Sequence, residues 1–460
     1  MLLFMIVMRG LGVLSLLMVL NVPSFARYTS LEEALFHGNE DFRKGDYAEA
    51  ELDYSEALER APRNIGAHFN RALVRQHLNN TKGAMEDYNT LLNIDPKHVV
   101  SLMNRGNLKQ ELGDYKGALV DYNVALALNG AKSGLYYNRA LVKQKLNDID
   151  GAIRDYKVAV ELDPQKKAAF NNLGNIYVER KAFEQAIEFY NQAIELDPKY
   201  ADAYLNRGEA LAGLGDLPSA LEDFNTAIEL DSTKAIYYTY RGKLQKRLNN
   251  LNEALADLQL AIKLDPTHWQ NFRYVGGVYK RQKNYEASLV AYNKALELNP
   301  EQAGEVYAHR GDLYILLKQP DLALADYNKA IEVDPKHSEA YCQRASLLLA
   351  KGDHDEALKD LNLAIELNPN DAEAHYTRGH VYKALGKSEE AAHSYSKVIE
   401  LDDEHAEARY HRAKVLSLLG QTRHAIKEAQ HSALLHEKQG NVYGAKKAHA
   451  LKQHVEKQLK

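Results

Sequence analysis

Proline recurs in this chain at a fixed interval. Eight of its 11 prolines, Pro62, Pro96, Pro164, Pro198, Pro266, Pro300, Pro335 and Pro369, stand 34 residues apart or a multiple of 34, with one step of 35 between Pro300 and Pro335. Proline lacks the N–H that continues a helix and pushes its predecessor toward extended backbone, so its recurrence marks a helix end at one place in a repeated unit. Gly130, Ser232 and Asp403 fill that place where proline is missing, and the longer step implies one residue inserted near Gly304. Counting from these anchors gives twelve units from Leu31 to Gln439, the twelfth degenerate. In such an array each unit packs on its neighbours, so 460 residues need not divide into globular domains.

Local signals divide each unit into two helices. Gly45, Gly113, Gly215, Gly352, Gly386 and Gly420, or Asn79, Asn147 and Asn249, follow the first helix with the residue types that accept a left-handed cap. Asp46, Asn80, Asp114, Asp148, Asp216, Asn250, Asn284 and Asp353 then stand where a side chain accepts backbone N–H bonds at the start of the second. Pro218 and Pro320 sit at such starts too, where a missing N–H costs nothing. Alanine recurs from Ala50 to Ala425, with Ser288 the one substitute, and lets helices approach closely. Four residues later an aromatic or leucine, such as Tyr54, Tyr190, Phe224 or Leu361, supplies apolar bulk. An aromatic stripe at this spacing reads as core.

The copy at residues 167–200, with Gly174, Tyr177, Ala186, Tyr190, Ala193 and Pro198, resembles the tetratricopeptide repeat, and the resemblance covers residues 31–439. It implies an all-α fold: a right-handed α-solenoid, or superhelix, of about twelve helical hairpins whose concave groove binds peptides or partner proteins. Residues 440–460, polar and basic, are expected to form a capping helix over the last repeat. A candidate hinge lies at the insertion, residues 301–304.

One departure from the family pattern stands out. Arginine occupies an inner first-helix position at Arg71, Arg105, Arg139, Arg207, Arg241, Arg310, Arg344, Arg378 and Arg412. Sixteen residues on stand Asp87, Asp121, Asp155, Asp223, Asp257, Asp326, Asp360 and Glu428, leaving only Arg378 opposite a neutral Ser394. Where the arginine is replaced by Leu173 or Val275, the acid is replaced by Phe189 or Ala291. The two positions change together, which predicts an ion pair inside each hairpin. The first unit, with His37 and Asp53, is an exception.

The residue before each arginine lies some 150° from the core-facing direction at ~100° per residue, toward the expected concave side. In five successive units it is asparagine: Asn70, Asn104, Asn138, Asn172 and Asn206. This run is similar to the asparagine ladder lining the repeat superhelix of O-GlcNAc transferases, a likeness that implies a grip on peptide main chain. Tyr240 and Tyr274 continue the register, followed by His309, Gln343, Thr377 and His411. The Lys and Arg clamp of chaperone-binding members is not recognisable, its early helix positions being Gly66, Val100, Gly134 and Ala168.

No catalytic template fits, so no catalytic residue, metal ligand or cofactor is expected. Gly386-Lys387-Ser388 ends like a phosphate loop but has Val381 in place of the leading glycine and no strand before it. Cys342 is the one cysteine, which excludes an internal disulfide. The ten histidines between His375 and His454 contain no metal-binding spacing and read as solvated helix surface. Residues 409–460 carry 11 Lys and Arg against 3 Asp and Glu, although the whole chain has a net charge of −5. The basic end suits helix C-termini, with contact to an anionic membrane surface as the alternative, and the acidic body disfavours nucleic acid.

Residues 1–26 combine an apolar run, Arg9 and the pair Ser24 and Ala26, the pattern of an export signal cut after Ala26. The start is Met1 or Met8. The chain is therefore expected to be exported, periplasmic or secreted, with an uncleaved membrane anchor as the runner-up. The expected function is a non-enzymatic adaptor that binds an extended polypeptide or a partner protein in its groove. The alternative is a structural scaffold organising an envelope or secretory-compartment complex through its ends and basic tail.

Overall fold

The computed structural model describes residues 27–129 and 132–457, and the expected export signal lies outside them. The described residues form 25 helices. Two compact units divide at Pro198 and Lys199. The first contains α1 (Leu31–Lys44), α2 (Tyr47–Arg60), α3 (Ile65–His77), α4 (Thr81–Ile94), α5 (Val99–Glu111), α6 (Tyr115–Leu128), α7 (Ser133–Lys145), α8 (Ile149–Leu162), α9 (Lys167–Glu179) and α10 (Phe183–Leu196). The second contains α11 (Ala201–Leu214), α12 (Leu217–Leu230), α13 (Ala235–Arg247), α14 (Leu251–Leu264), α15 (Trp269–Arg281), α16 (Tyr285–Leu298), α17 (Gly304–Leu316) and α18 (Pro320–Val333). It continues with α19 (Ser338–Lys351), α20 (His354–Leu367), α21 (Ala372–Ala384), α22 (Ser388–Leu401), α23 (Ala406–Leu418), α24 (Thr422–Lys438) and α25 (Val442–Lys457). Successive pairs are the twelve hairpins that the proline interval predicts, and α25 packs on α24 as the capping helix. The inserted residue is absorbed in the loop between α16 and α17.

The hairpins close as their turn residues require. Gly45, Gly113, Gly215, Gly352, Gly386 and Gly420 all take positive φ, as do Asn79, Asn147 and Asn249. Lys181, Lys283 and Lys318 do the same without glycine's freedom. At the second helices, Asn80, Asp114, Asp148, Asp216 and Asn284 accept the expected backbone N–H bond. Asp46, Asn250 and Asp353 do not. Asn250 turns its amide to Gln245 Oε1 at 2.8 Å instead, a side-chain partner that competes with the cap.

Each core is the alanine and aromatic stripe. Ala84, Ala118, Ala152 and Ala186 are fully buried, and Tyr88, Tyr122 and Tyr156 with them. The ring lies so close to the first helix that a Cβ at Gly106 would stand 2.7 Å from Tyr122 Cε1, which is why that face carries glycine or alanine.

The arginine and acid pairs form as the sequence predicts. Nη2 lies 2.6–2.7 Å from the partner carboxylate in Arg71–Asp87, Arg105–Asp121, Arg139–Asp155, Arg207–Asp223, Arg241–Asp257, Arg310–Asp326 and Arg344–Asp360. Nε completes a two-point contact with the other oxygen of the same acid, as in Arg139 to Asp155 at 2.7 Å. Arg412 meets Glu428 at 3.2 Å. In three hairpins the acid takes a second cation one turn further on: Arg75 on Asp87, Lys109 on Asp121 and Lys143 on Asp155. The first hairpin solves its exception from outside the repeat, because Arg27 Nη1 and the Tyr28 hydroxyl reach Asp53 at 3.0 and 2.8 Å. In the eleventh, Arg378 Nε is buried without a partner, and Ser394 bonds the carbonyl of Glu390.

Candidate functional site

Asn70, Asn104, Asn138 and Asn172 sit at one register of α3, α5, α7 and α9, all half-buried. Their amides are already part of a network. Asn70 Nδ2 donates to Asn39 Oδ1 at 3.0 Å and Asn138 Nδ2 to Asn107 Oδ1 at 2.9 Å, each reaching the preceding hairpin. The same two acceptors also receive core tyrosine hydroxyls, Tyr54 at 2.8 Å and Tyr122 at 2.6 Å. Asn104 lies by the Tyr88 hydroxyl and holds its acidity up against burial, and that hydroxyl donates to Gln76 Oε1 at 2.7 Å. Asn172 Nδ2 lies 3.3 Å from both the Tyr137 and Tyr156 hydroxyls. Burial, only partly offset by these amides, pushes Tyr54 and Tyr88 up to about 12, so both hydroxyls stay protonated and able to donate.

A cavity of about 420 Å³ opens beside this register, lined by Gln110, Leu141, Gln144, Lys145, Asn172 and Glu179. Its walls mix amides with Lys145 and two carboxylates, Glu111 and Glu179, a lining suited to polar main chain.

In the second compact unit, Asn206, Tyr240 and Tyr274 hold the same register on α11, α13 and α15, again half-buried. Lys243 Nζ lies 4.4 Å from the Tyr240 ring centre and 5.4 Å from that of Tyr274, placing an ammonium between the two rings. Arg273 stacks on Tyr274 at 4.4 Å. Further along, Thr377 is buried, and His411 packs edge-on to His380 with ring centres 4.6 Å apart.

Of the histidines expected on a solvated surface, His393, His424, His431, His449 and His454 are exposed, and the others depart from that expectation. His375 and His436 are buried, and desolvation pushes His309 and His380 down to about 4 and His411 to about 3. Imidazole is flat and mostly apolar when neutral, so it fills aromatic positions: His411 stacks on Tyr395 and His436 lies against Gly444. Among the described residues no three His, Cys, Asp or Glu side chains gather as metal ligands. Cys342 is buried, and burial pushes its thiol up, away from thiolate reactivity.

Comparison with known proteins agrees with this geometry. Models described as tetratricopeptide repeat, or TPR repeat, match residues 37–99, 145–179, 174–215, 201–234, 235–268 and 275–302. They also match residues 304–337, 326–359, 345–386 and 372–405, and together span more than half of the chain. The chain belongs to the tetratricopeptide repeat family. Among solved structures, this repeat protein is similar to yeast Tom70, at 20% identity over 92% of this chain and 96% of that one, TM-score 0.46. It is also similar to a chain of the APC/C Cut9–Hcn1 hetero-tetramer, at 15% identity over 93% and 96%, TM-score 0.49. The tetratricopeptide protein YrrB is 30% identical over 41% of this chain and 96% of its own, TM-score 0.33. No curated protein matches the chain.

Two partners in this tetratricopeptide array escape a hairpin-by-hairpin reading. One is the acceptor of the ladder, Asn39 or Asn107, which lies 31 residues before the rung it serves. The other is the asparagine directly after the core aromatic. Asn89, Asn123, Asn225, Asn293 and Asn328 each accept from Nη1 of the next hairpin's arginine, at 2.6–2.9 Å. Their recurrence after the aromatic was the available signal.

Proposed function

We propose that this tetratricopeptide protein is a non-enzymatic adaptor that holds an extended polypeptide along Asn70, Asn104, Asn138 and Asn172 in the first compact unit, and that Asn206, Tyr240 and Tyr274 form a track of the same kind in the second. The repeat family supports protein binding in general, and its members are typically interaction modules without catalysis. What carries the finer reading is the amide capacity left over at the register. Asn138 uses one N–H on Asn107 and keeps the other N–H and Oδ1, while Asn172 directs Nδ2 to two tyrosines and keeps Oδ1. A spare donor and acceptor bond the C=O and N–H of an extended ligand without reading its side chains. At a net ~0.5 to 1.5 kcal/mol per rung, such a ladder gives millimolar to micromolar binding after ordering costs.

The test is capture of partners from the native compartment, followed by titration of the captured segments against an Asn138→Ala, Asn172→Ala variant. Different segments should weaken by similar factors. Because both asparagines also bond their neighbours, melting is recorded alongside, and a small drop in midpoint is expected. Changing Tyr240 and Tyr274 to alanine should alter which segments are preferred. Undiminished binding of every partner by the double asparagine variant replaces this reading with the scaffold, in which the amides only join hairpins. We also propose export, for which sequencing of the mature N-terminus should return Arg27 as first residue.

A further inference from the structure

In a chain of net charge −5, one cavity is lined by cations. It measures about 450 Å³ and lies in the second compact unit among α13, α15, α16 and α17. Lys246, Arg273, Lys280, Arg281 and Lys283 line it, and among the described residues no carboxylate does. Two acids stand behind the wall: Glu305 pairs with Arg273, and Asp312 meets Lys280 at 2.9 Å. Arg281 has only neutral acceptors, the Lys246 carbonyl at 2.6 Å and Asn249 Oδ1 at 3.0 Å. Five cations against two acids leave a surplus of about three positive charges around one opening.

Two details show that the surplus is unmet inside the protein. Arg273 Nε is buried and makes no hydrogen bond. Lys246 is half-buried, forms no ion pair, and reaches over Gly277, where a Cβ would come within 2.7 Å of Nζ. The glycine therefore clears the space that the ammonium occupies. Burial, and then Arg273, Arg281 and Lys280, push Lys246 down from the ordinary lysine range, a cost that a bound anion would relieve. Neutral His309 adds no positive charge, and Tyr285 and Tyr292 complete the wall.

We propose that this cavity binds a multiply charged phosphate, the monoester or pyrophosphate group of a small molecule, held by Lys246, Arg273 and Lys280. A surplus near three matches a group bearing two or three negative charges and exceeds what one carboxylate neutralises. The arginine fork and ammonium groups suit phosphate oxygens, and the volume falls within the ~300–1,000 Å³ of small-molecule sites. The cavity adjoins the polypeptide track, because Tyr274 also lines it, but Lys246, Arg273 and Lys280 lie outside that register.

Calorimetric titration of the full-length chain with inorganic pyrophosphate, inorganic phosphate and succinate at fixed ionic strength tests it. Pyrophosphate should bind one to one, phosphate more weakly, and succinate at least tenfold more weakly than pyrophosphate. Lys246→Met should lower pyrophosphate affinity at least tenfold while the ligand-free protein melts no lower than the parent, because an unpaired cation is lost. Arg273→Gln gives the same readout on a second residue. Lys97→Met, at an exposed lysine outside the cavity, should leave binding unchanged. No saturable pyrophosphate binding, equal binding of succinate, or undiminished affinity in both cavity variants overturns the proposal.

Discussion

Replacing Asp155 by alanine should open the fourth hairpin far more often than its surroundings. The carboxylate is buried and holds two cations, accepting from Arg139 Nε and Nη2 at 2.7 Å each and from Lys143 Nζ at 2.7 Å. Breaking a buried pair by removing one partner costs ~3 to 5 kcal/mol, because the other charge is left uncompensated. Arg139 keeps Asn123 at 2.8 Å and the Tyr136 ring at 5.5 Å, which places the expected loss at the lower end, about 3 kcal/mol. At ~1.4 kcal/mol per factor of ten, amides of α7 and α8 should exchange roughly a hundredfold faster. Hydrogen exchange read by mass spectrometry reports this locally, without assuming that a long array unfolds in one step. The fifth hairpin supplies the rescue. There Leu173 is fully buried and Tyr177 stacks on Phe189 with ring centres 5.3 Å apart, at the positions of Arg139, Lys143 and Asp155. The combined Arg139→Leu, Lys143→Tyr, Asp155→Phe change should recover most of the loss, whereas additive effects, or unchanged exchange in Asp155→Ala, would refute the pairing.

Ser394→Asp should supply the acid that the eleventh hairpin lacks and raise stability by about 1 to 3 kcal/mol, since Arg378 Nε is buried without a partner; a lower melting midpoint for that variant would mean the carboxylate cannot reach the guanidinium. Acid should destabilise the second compact unit between about pH 6.5 and 4. Its folded His309 and His380 titrate near 4, so in that window the unfolded chain binds protons the folded one does not, and stability rises with pH. His380→Phe and His411→Phe should each flatten the dependence of midpoint on pH, and a slope unaltered by both would sink the assignment.

The hairpins, their number and the ion pairs were legible in sequence because each repeats a requirement that backbone or charge imposes. A proline at eight second-helix ends, a glycine or asparagine at nine turns and an acid opposite eight of the nine arginines admit few alternatives. The candidate site was legible only as a register. Where Asn138 sends its amide depends on Asn107, and the following rung has Leu141 in that place, so the bonding alternates while the rungs do not. The buried histidines were missed because imidazole is polar by composition and apolar by shape. The basic cavity was missed for a different reason: a periodic reading averages over what one hairpin alone possesses, and Arg273 stands where the preceding hairpin carries Thr239.

The arginine that bonds forward within its own hairpin and backward to the preceding one gives the repeat a growth rule. Each hairpin offers the next the kind of surface it receives, so nothing inside the rule says when to stop. Termination is written separately at two places. At one end Arg27 and Tyr28 supply the partners that Asp53 lacks in its own hairpin, with both main-chain nitrogens on Glu56 at 2.9 and 3.0 Å. At the other, α25 lies over α24 and turns its lysines outward. A chain stripped of either terminator carries an uncapped end that matches the opposite end of another copy. That contact is head-to-tail, the kind that builds rings or open filaments and not a two-fold dimer.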